Sequence, residues 1–381
     1  MARSISWDDL RGLAELEMRK GRGISLYLNL DPAVTPMPAD AHTRFHSLLD
    51  GAAKLESATE HGLSHDERIA LRADLDRIRQ YFEQDFVRDG TRGLAIFCAG
   101  LDSVWTTLPL VASVDDEVSI GRLLLLAPLV PLVGRGTGAL VVVASRELGL
   151  FYELGNGRLA EVADLSEEQL RRHDQGGLAQ ARLQRHVDQH ISEHLRAVAE
   201  QLDRLVRRAP GSVDVVVAAP EDSRAELATY LTQDVQHAFA GWIHAEAHAS
   251  PAELEGLVAP VLAARRASRE RELLDAWAAG LGTGNRAAAG WATVLDAVSD
   301  VRVETLLVRA GIDHPAWRCP SCGRAAAEAG ECALDGTPVE PFAPGIDLAV
   351  HHALRHGGSV WFVEDADDLD DAEGVGALLR F

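Results

Sequence analysis

The sequence is poor in lysine, cysteine, aromatic residues and long apolar runs. Lysine occurs only at Lys20 and Lys54, so arginine carries nearly all of the positive charge, a bias that reflects genomic base composition more than function. Four cysteines are too few for a disulfide framework. The most hydrophobic stretch covers 11 residues, 123–133, and contains two prolines, far short of the roughly 20 residues of a membrane-spanning helix. These shortages exclude a disulfide-stabilised scaffold and a helical membrane protein.

The first ten residues also lack the apolar core of an export signal, because Asp8 and Asp9 stand where such a core would begin. We therefore expect a cytoplasmic protein with no membrane partner. In a reducing compartment, clustered cysteines are more often metal ligands than disulfides. Cys98 lies in an apolar run and is predicted to be buried. The other three cysteines do cluster, at Cys319, Cys322 and Cys332.

The sequence contains enough hydrophobic residues to form the cores of a large folded protein. Of its 381 residues, 47% are hydrophobic and 25% are charged, a composition typical of two or three globular domains. The 58 acidic and 37 basic residues give a formal charge of −21. Because this charge repels nucleic acid and anionic membranes, any contact with RNA must be confined to a local basic surface.

The alternation of helical and strand-like segments predicts three α/β domains, over residues 1–133, 134–250 and 251–381. The first domain is an α+β unit. It is predicted to begin with a helix over residues 7–20 and to include a final strand over residues 118–126.

The second domain is predicted to open with three strands joined by tight turns and to continue with a long helix over residues 178–206. A meander followed by alternating helix and strand indicates a mixed sheet with crossover helices, of the ribonuclease-H-like type. Nuclease chemistry on such a sheet would need acidic residues on its first strand to hold divalent ions. The first strand, ALVVVAS, has none before Glu147, so we do not expect a nuclease.

A cysteine-containing insert at residues 314–342 interrupts the third domain. Cys319 and Cys322 form a CxxC knuckle, Cys332 follows, and Asp335 stands where a second knuckle would have its last ligand. Three thiolates and a carboxylate can hold zinc in a closed tetrahedral site, which is structural. The pattern predicts such a zinc site, with Asp335 or else His314 as the fourth ligand. The alternative is a decayed zinc ribbon with free thiols.

Four stretches of sequence together carry a family resemblance. They are ISLYLNLDP in the first domain, QGGLAQARLQRHVDQH after the meander, and RVETLLVRAG and GVGALLRF in the third domain. In this order they resemble the archaeal and eukaryotic class-one release-factor superfamily. It includes Pelota-type rescue factors and bacterial relatives, among them quality-control peptidyl-tRNA hydrolases. The resemblance implies a Pelota-type third domain, the ribosome and peptidyl-tRNA as partners, and a translational GTPase as a further candidate partner.

In that superfamily the middle domain carries a glycine-rich loop with a glutamine into the peptidyl-transferase centre. By position, Gly176 and Gly177 match the loop glycines, and Gln180 is the candidate for the glutamine. The release factors have glutamine directly after the glycines, whereas Leu178 and Ala179 intervene here, a spacing closer to that of the quality-control hydrolases. The resemblance thus implies release or rescue by hydrolysis of the peptidyl-tRNA ester.

The composition of this loop suits ester hydrolysis on chemical grounds as well. Paired glycines let the main chain approach RNA closely, and backbone amides with a glutamine can position water and stabilise an oxyanion without a Ser-His-Asp triad. Three other interpretations stay open. The loop could belong to a non-catalytic factor that occupies the A site of idle ribosomes, or it could be a turn ahead of a helix. The chain could also be a binding module that recruits partners through its third domain.

The charge around the loop is opposite in sign to that of the whole chain. Residues 171–208 contain eight arginines and five carboxylates. Arg182 and Arg185 lie in the first turns of the predicted helix, where a phosphate can meet both guanidinium groups and the helix N-terminus. We interpret these two arginines and His186 as RNA-binding residues, with a solvated helix face as the alternative. Histidine recurs every four residues along this helix, at His186, His190 and His194, which predicts a polar or RNA-facing stripe.

Overall fold

A computed structural model describes residues 5–59, 63–133, 138–155, 158–166, 180–209, 213–246, 249–284, 286–364 and 367–381, with only the backbone described for residues 56–59 and 180–188. Its contacts divide the chain into two compact units. One joins Met1–Val133 to Arg269–Phe381, and the other is Gly134–Ser268. Among the described residues no helix is long and apolar enough to cross a membrane. The division into three domains remains a prediction.

The N-terminal part of the first unit is a four-stranded antiparallel sheet covered by helices. The strand order is β3-β2-β1-β4. Side chains of β1 alternate between the two faces, so that Leu26 packs against α2 and α3 while Tyr27 joins the core on the opposite face. Its elements are α1 (Trp7–Ala14), β1 (Gly23–Asn29), α2 (Pro38–Thr59), α3 (His65–Gln80), β2 (Gly93–Ala99), β3 (Val104–Leu110) and β4 (Glu117–Gly121).

Two elements of this part are shorter in the structure than the sequence predicted. The first helix ends at Ala14 rather than residue 20, because the chain then forms an isolated bridge between Glu17 and Leu123. The last strand ends at Gly121 rather than residue 126. Beyond Gly121, the backbone N–H of Leu125 donates a hydrogen bond to the hydroxyl oxygen of Ser25 at 2.9 Å. This N–H group is therefore not available to a neighbouring strand.

The second unit is built on a five-stranded mixed sheet of order β7-β6-β5-β8-β9. The strands β5, β6 and β7 form an antiparallel meander, and β8 runs parallel to both β5 and β9. This is the mixed sheet with crossover helices expected of a ribonuclease-H-like domain. Its elements are β5 (Ala139–Ala144), β6 (Gly149–Gly155), β7 (Arg158–Asp164), α4 (Gln180–Arg208), β8 (Asp214–Ala218), α5 (Glu221–Tyr230), α6 (Gln233–Ala238), β9 (Phe239–Ile243) and the first half of α7 (Pro251–Thr283).

The two faces of this sheet are covered by different helices. On one face, Leu195, Val198 and Leu202 of α4 pack against alternate residues of β5 and β8, together with apolar residues of α5 and α6. On the other face, Leu254 and Val258 of α7 cover the remaining strand residues. Burial on both faces explains why the strands β5 and β8 are almost wholly apolar.

The C-terminal part of the first unit is a second α/β layer that carries the cysteine insert. Its main sheet has the order β10-β16-β11-β15, and the insert adds a small sheet of order β13-β12-β14. The elements are β10 (Ala287–Ala289), α8 (Trp291–Ser299), β11 (Val303–Arg309), β12 (Ala316–Arg318), β13 (Ala325–Ala326), β14 (Glu340–Phe342), α9 (Gly345–Arg355), β15 (Ser359–Val363) and β16 (Val375–Leu379).

One hydrophobic core runs through both parts of the first unit. It includes Leu10 and Leu126 from the N-terminal part and Trp291 and Leu348 from the C-terminal part, none of them more than 2% exposed. The first and last thirds of the chain are therefore packed as a single body. Their contacts are made by α1, α9 and the segment that follows β4.

Candidate functional site

The helix α4 begins at Gln180, the residue predicted to be the functional glutamine. Gly176 and Gly177 lie outside the described residues. Arg182, Arg185 and His186 lie in the first turns of the helix, and their side chains, like that of Gln180, are outside the described part of the structure. The backbone of Gln180 and the two arginines thus lies at the N-terminal end of the helix that crosses over the sheet.

Further along α4 the predicted polar stripe is interrupted. His194 is only 3% exposed, and its ring lies near Gly149 of β6. The prediction of a polar or RNA-facing stripe is therefore wrong for His194, because this position faces the sheet.

The positive charge at the far end of α4 is engaged within the second unit. Arg207 pairs with Asp203 at 2.9 Å and with Asp234 at 3.2 Å. Arg204 donates to the side-chain oxygen of Gln201 at 2.7 Å. Arg204 and Arg207 therefore contact other side chains of the second unit, at the opposite end of α4 from Arg182 and Arg185.

The insert of the first unit consists of two knuckles that share one pattern of hydrogen bonds. In the first, Cys319 accepts the N–H of Gly323 on its carbonyl at 2.9 Å, and Gly323 has a φ of +80°. In the second, Cys332 accepts the N–H of Gly336 in the same way at 2.9 Å, and Gly336 has a φ of +71°. The positive φ angles explain why glycine follows each ligand pair.

The four predicted metal ligands converge in this pair of knuckles. The donor atoms of Cys319, Cys322, Cys332 and Asp335 all lie within 4.8 Å of one another. The Sγ atoms of Cys322 and Cys332 are 3.5 Å apart, and Cys319 Sγ is 3.7 Å from Asp335 Oδ1. Zinc–sulfur bonds of about 2.3 Å in a tetrahedron place two sulfurs roughly 3.8 Å apart, so the spacing fits a single tetrahedral ion.

His314, the alternative fourth ligand, lies elsewhere. Its ring stacks on Trp291 with 5.1 Å between centroids, and its Nδ1 atom is 2.6 Å from the carbonyl oxygen of Pro315. Among the described residues, the group of potential metal ligands therefore contains Asp335 and not His314.

The four candidate ligands differ in how readily they ionise. Burial opposes ionisation of Cys319, but the N–H groups of Cys322 and Ser321 outweigh it and lower the thiol's pKa. The N–H of Arg324 favours the thiolate of Cys322, yet burial and the other two thiols outweigh that bond and raise its pKa to about 11. The Asp335 carboxylate accepts the Thr337 N–H at 3.0 Å, which helps to lower its pKa to about 2. Cys322 therefore keeps its proton at neutral pH in the absence of a cation, and a metal that bound there would displace it.

Side chains outside the ligand set attach the knuckles to the rest of the first unit. The Nε2 atom of His352 on α9 donates to the Gly323 carbonyl at 3.0 Å, and burial lowers the pKa of His352 to about 4, so this ring is neutral. Arg324 binds Asp300 at 2.6 Å, and Arg318 binds Glu17 at 2.5 Å. The insert is thus held by α8, α9 and the segment after α1.

A cavity of about 410 Å³ lies beside the first knuckle, entirely within the first unit. Its lining includes Cys322 and Gly323 of the first knuckle, Leu334 of the second knuckle, and His352 and Arg355 of α9. Cys322 is exposed, whereas Cys319 and Cys332 are 0% and 6% exposed. The cavity therefore gives solvent access to one of the three thiols.

Residues 125–261 match a family model described as bacterial archaeo-eukaryotic release factor family 10. This segment of the chain is release-factor-like. It contains Gly176, Gly177 and Gln180 together with the mixed sheet, so the predicted resemblance to the release-factor superfamily is confirmed for it. No curated protein matches the chain.

Solved structures also align with the chain over nearly its whole length, at low identity. An archaeal translation termination factor, aRF1, is 17% identical over 99% of both chains, with a TM-score of 0.26. Pelota of Archaeoglobus fulgidus is 14% identical over 100% of this chain and 93% of its own, with a TM-score of 0.36. A model of ribosome-bound archaeal Pelota and ABCE1 is 12% identical over 100% and 95%, with a TM-score of 0.43.

Outside the release-factor-like segment, sequence reasoning missed a buried polar pair on α9. Asp347 accepts the N–H groups of Leu126 and Ala127 at 2.7 and 2.9 Å, and His351 contacts the carbonyl oxygen of Leu124. Burial raises the pKa of Asp347, although His351 and the two N–H groups favour its ionised form. The available signal was a carboxylate and a histidine four residues apart, at positions that fall on the apolar face of the helix.

Proposed function

We propose that the protein is a ribosome-associated release or rescue factor that hydrolyses the ester of peptidyl-tRNA. The observation that carries this proposal is the match of residues 125–261 to a release-factor family, because the matched segment encloses the loop with Gly176, Gly177 and Gln180. Helix α4, which the structure describes from Gln180 onward, carries this glutamine close in sequence to Arg182 and Arg185 of the proposed RNA contact.

In the proposed reaction a water molecule attacks the carbonyl carbon of the ester. The Gln180 carboxamide orients this water, and backbone amides of the glycine-containing loop stabilise the oxyanion. The bond to the tRNA ribose oxygen then breaks, and that oxygen takes up the proton that water has lost. Positioning and oxyanion stabilisation suffice for such a step, so no nucleophilic side chain is required.

The RNA contacts of the proposed complex come from Arg182, Arg185 and His186. Two guanidinium groups and the helix N-terminus provide several donors for phosphate oxygens. This local surface accounts for RNA binding by a protein whose net charge of −21 would otherwise oppose it. We further propose a cytoplasmic location and, as an additional partner, a translational GTPase.

In the first unit we propose a structural zinc ion held by Cys319, Cys322, Cys332 and Asp335. The support is the spacing of the four donor atoms, which all lie within 4.8 Å of one another. Four protein ligands leave no open position for substrate, so zinc would stabilise the insert and take no part in ester hydrolysis.

The decisive experiment is incubation of the protein with ribosomes that carry labelled peptidyl-tRNA, and in parallel with separated large subunits that carry the same tRNA. We expect free peptide from at least one of the two substrates. Co-sedimentation with ribosomes is measured in the same samples. Binding without release of peptide would contradict hydrolysis and favour the non-catalytic A-site factor, whereas absence of both would contradict the ribosomal function itself.

A further inference from the structure

The three thiols of the insert differ sharply in their access to solvent. Cys322 is exposed and lines the cavity of about 410 Å³, whereas Cys319 and Cys332 are 0% and 6% exposed. A small solute entering the cavity therefore meets the sulfur of Cys322 first.

The exposed thiol has a buried thiol directly behind it. The Sγ atom of Cys332 is 3.5 Å from that of Cys322, and the two residues belong to different knuckles. A disulfide of about 2.05 Å would need these sulfurs to approach by roughly 1.5 Å. We propose that Cys322 and Cys332 form an oxidisable thiol pair, in which a hydroperoxide reacts at Cys322 and Cys332 then closes a disulfide.

The proposed chemistry proceeds in two balanced steps. The sulfur of Cys322 attacks one oxygen of the hydroperoxide, so a sulfur–oxygen bond forms, the oxygen–oxygen bond breaks, and the departing alkoxide or hydroxide takes up the proton that the thiol loses. The sulfur of Cys332 then attacks the sulfur of the Cys322 sulfenic acid. The disulfide forms, and hydroxide leaves with the proton of Cys332 as water. The two sulfurs lose two electrons in total, and the peroxide gains them.

The fourth ligand determines what this oxidation does to a bound metal. Asp335 is a carboxylate and cannot be oxidised in this way, so closure of the disulfide leaves only Cys319 and Asp335 as donors. Two ligands do not make a structural zinc site. Release of the metal therefore accompanies the disulfide; this consequence rests on the zinc site proposed above, whereas the thiol pair itself does not.

The test treats the full-length protein with hydrogen peroxide, blocks the remaining thiols with iodoacetamide, and digests it with trypsin. Cleavage at Arg318, Arg324 and Arg355 places Cys319 and Cys322 on one peptide and Cys332 on another. We expect a disulfide to link these two peptides. Fragmentation of the linked peptides in a mass spectrometer should then place the group added by iodoacetamide on Cys319. A disulfide within the first peptide, an alkyl group on Cys322, or no cross-link would each overturn the proposal.

Variants give an independent measure of the order of events. Cys322→Ser should slow cross-linking at least about tenfold, since the exposed nucleophile is lost. Cys98→Ser is the matched control, because Cys98 is buried in the N-terminal sheet, and it should react as the wild type does. Unchanged cross-linking in Cys322→Ser would overturn the proposal. Zinc release is followed with a colour indicator in the same reaction, and a disulfide without zinc release would support the thiol pair while contradicting the zinc site.

Discussion

The Oδ1 atom of Asp347 lies 2.7 Å from the backbone nitrogen of Leu126, 221 positions earlier in the chain. The same oxygen accepts the N–H of Ala127 at 2.9 Å. Both donors lie beyond the end of β4, where the chain has left the N-terminal sheet. One side chain of α9 thus satisfies the buried backbone at the junction of the first and last thirds of the chain, and stabilises the unit that they share.

Substitution of Asp347 should separate the roles of its oxygen and its charge. Asp347→Ala leaves two N–H groups in the core without an acceptor, at about 1–3 kcal/mol each, so the free energy of unfolding should fall by at least about 2 kcal/mol. Asp347→Asn keeps an oxygen acceptor and removes a buried charge, so its loss should stay within about 1 kcal/mol. Urea unfolding of both variants measures the difference. Equal losses would show that the charge, and not the acceptor, is what stabilises the junction.

Removal of the predicted fourth ligand should weaken the metal site. Wild-type protein purified without chelator is expected to contain one zinc per chain by elemental analysis. Loss of a residue that only contacts a metal ligand typically lowers metal affinity about 10- to 100-fold. Asp335 is a direct ligand in the proposed site, so Asp335→Ala should lower zinc affinity by at least that factor. His314→Ala, which removes a histidine of the same insert that stacks on Trp291, should retain full zinc content.

Chelation of the wild-type protein should lower its stability without abolishing peptide release. The core of the first unit draws most of its buried residues from outside the insert, which contributes only Ala316 and Ala325 to it. Zinc well below one per chain would contradict the zinc site. Loss of release on chelation, restored by zinc, would contradict a purely structural metal.

A histidine beside the metal site should make stability depend on pH. Burial lowers the pKa of His352 to about 4, below the 6.5 expected in the unfolded chain. Between these values the unfolded chain binds more protons, so this group's contribution to stability is complete above pH 6.5 and decreases as the pH falls towards 4. At pH 5 the loss is about 2 kcal/mol relative to pH 7.

His352→Gln removes this titration while keeping a donor for the Gly323 carbonyl. The decrease in unfolding free energy from pH 7 to pH 5 should therefore be smaller in the variant by about 2 kcal/mol. His65→Gln, at an exposed histidine on α3, is the control and should follow the wild type. Parallel pH profiles for His352→Gln and wild type would show that His352 titrates normally.

Local patterns in the sequence predicted much of the fold and of the metal cluster. The meander, the long helix and the two later strands of the second unit follow from apolar periodicity and turn residues, which act over a few positions. The knuckles follow from the spacing of Cys319, Cys322 and Cys332, which identified Asp335 as well. These features depend on residues that are close together in the chain, so they can be predicted from one sequence alone.

Contacts between distant residues could not be predicted in this way. Nothing in the sequence around Leu126 indicates that its N–H is accepted by Asp347, and the prediction there was a strand. His194 appeared to continue a polar stripe, but its side chain is buried on the side of α4 that faces β6. In both cases the outcome depends on packing between elements that are far apart in the chain.

The proposed glutamine should matter for chemistry more than for binding. Gln180→Ala removes the carboxamide that orients water, and we expect peptide release to fall at least about tenfold, roughly 1.4 kcal/mol of transition-state stabilisation. Ribosome binding should change little. Gln189→Ala is the matched control on the same helix, where the side chain of Gln189 contacts Glu193 at 2.8 Å. Release by Gln180→Ala equal to that of active wild type would remove Gln180 from the mechanism.

The arginines at the start of α4 should govern the salt dependence of ribosome binding. Each phosphate contact releases condensed counterions, so affinity falls with salt at a slope that reflects the number of contacts. Arg182→Glu combined with Arg185→Glu should weaken binding and make the slope shallower by about one to two. The effect should appear in co-sedimentation at several salt concentrations.

A matched change at the other end of the helix separates local contact from overall charge. Arg204→Glu combined with Arg208→Glu alters the net charge of the protein by the same amount, at the C-terminal turns of α4. If Arg182 and Arg185 contact phosphate, only the first pair should change the slope, because counterion release depends on groups at the RNA surface. The same shift from both pairs would indicate a general charge effect, and an unaltered slope in the first pair would place Arg182 and Arg185 in solvent instead of on RNA.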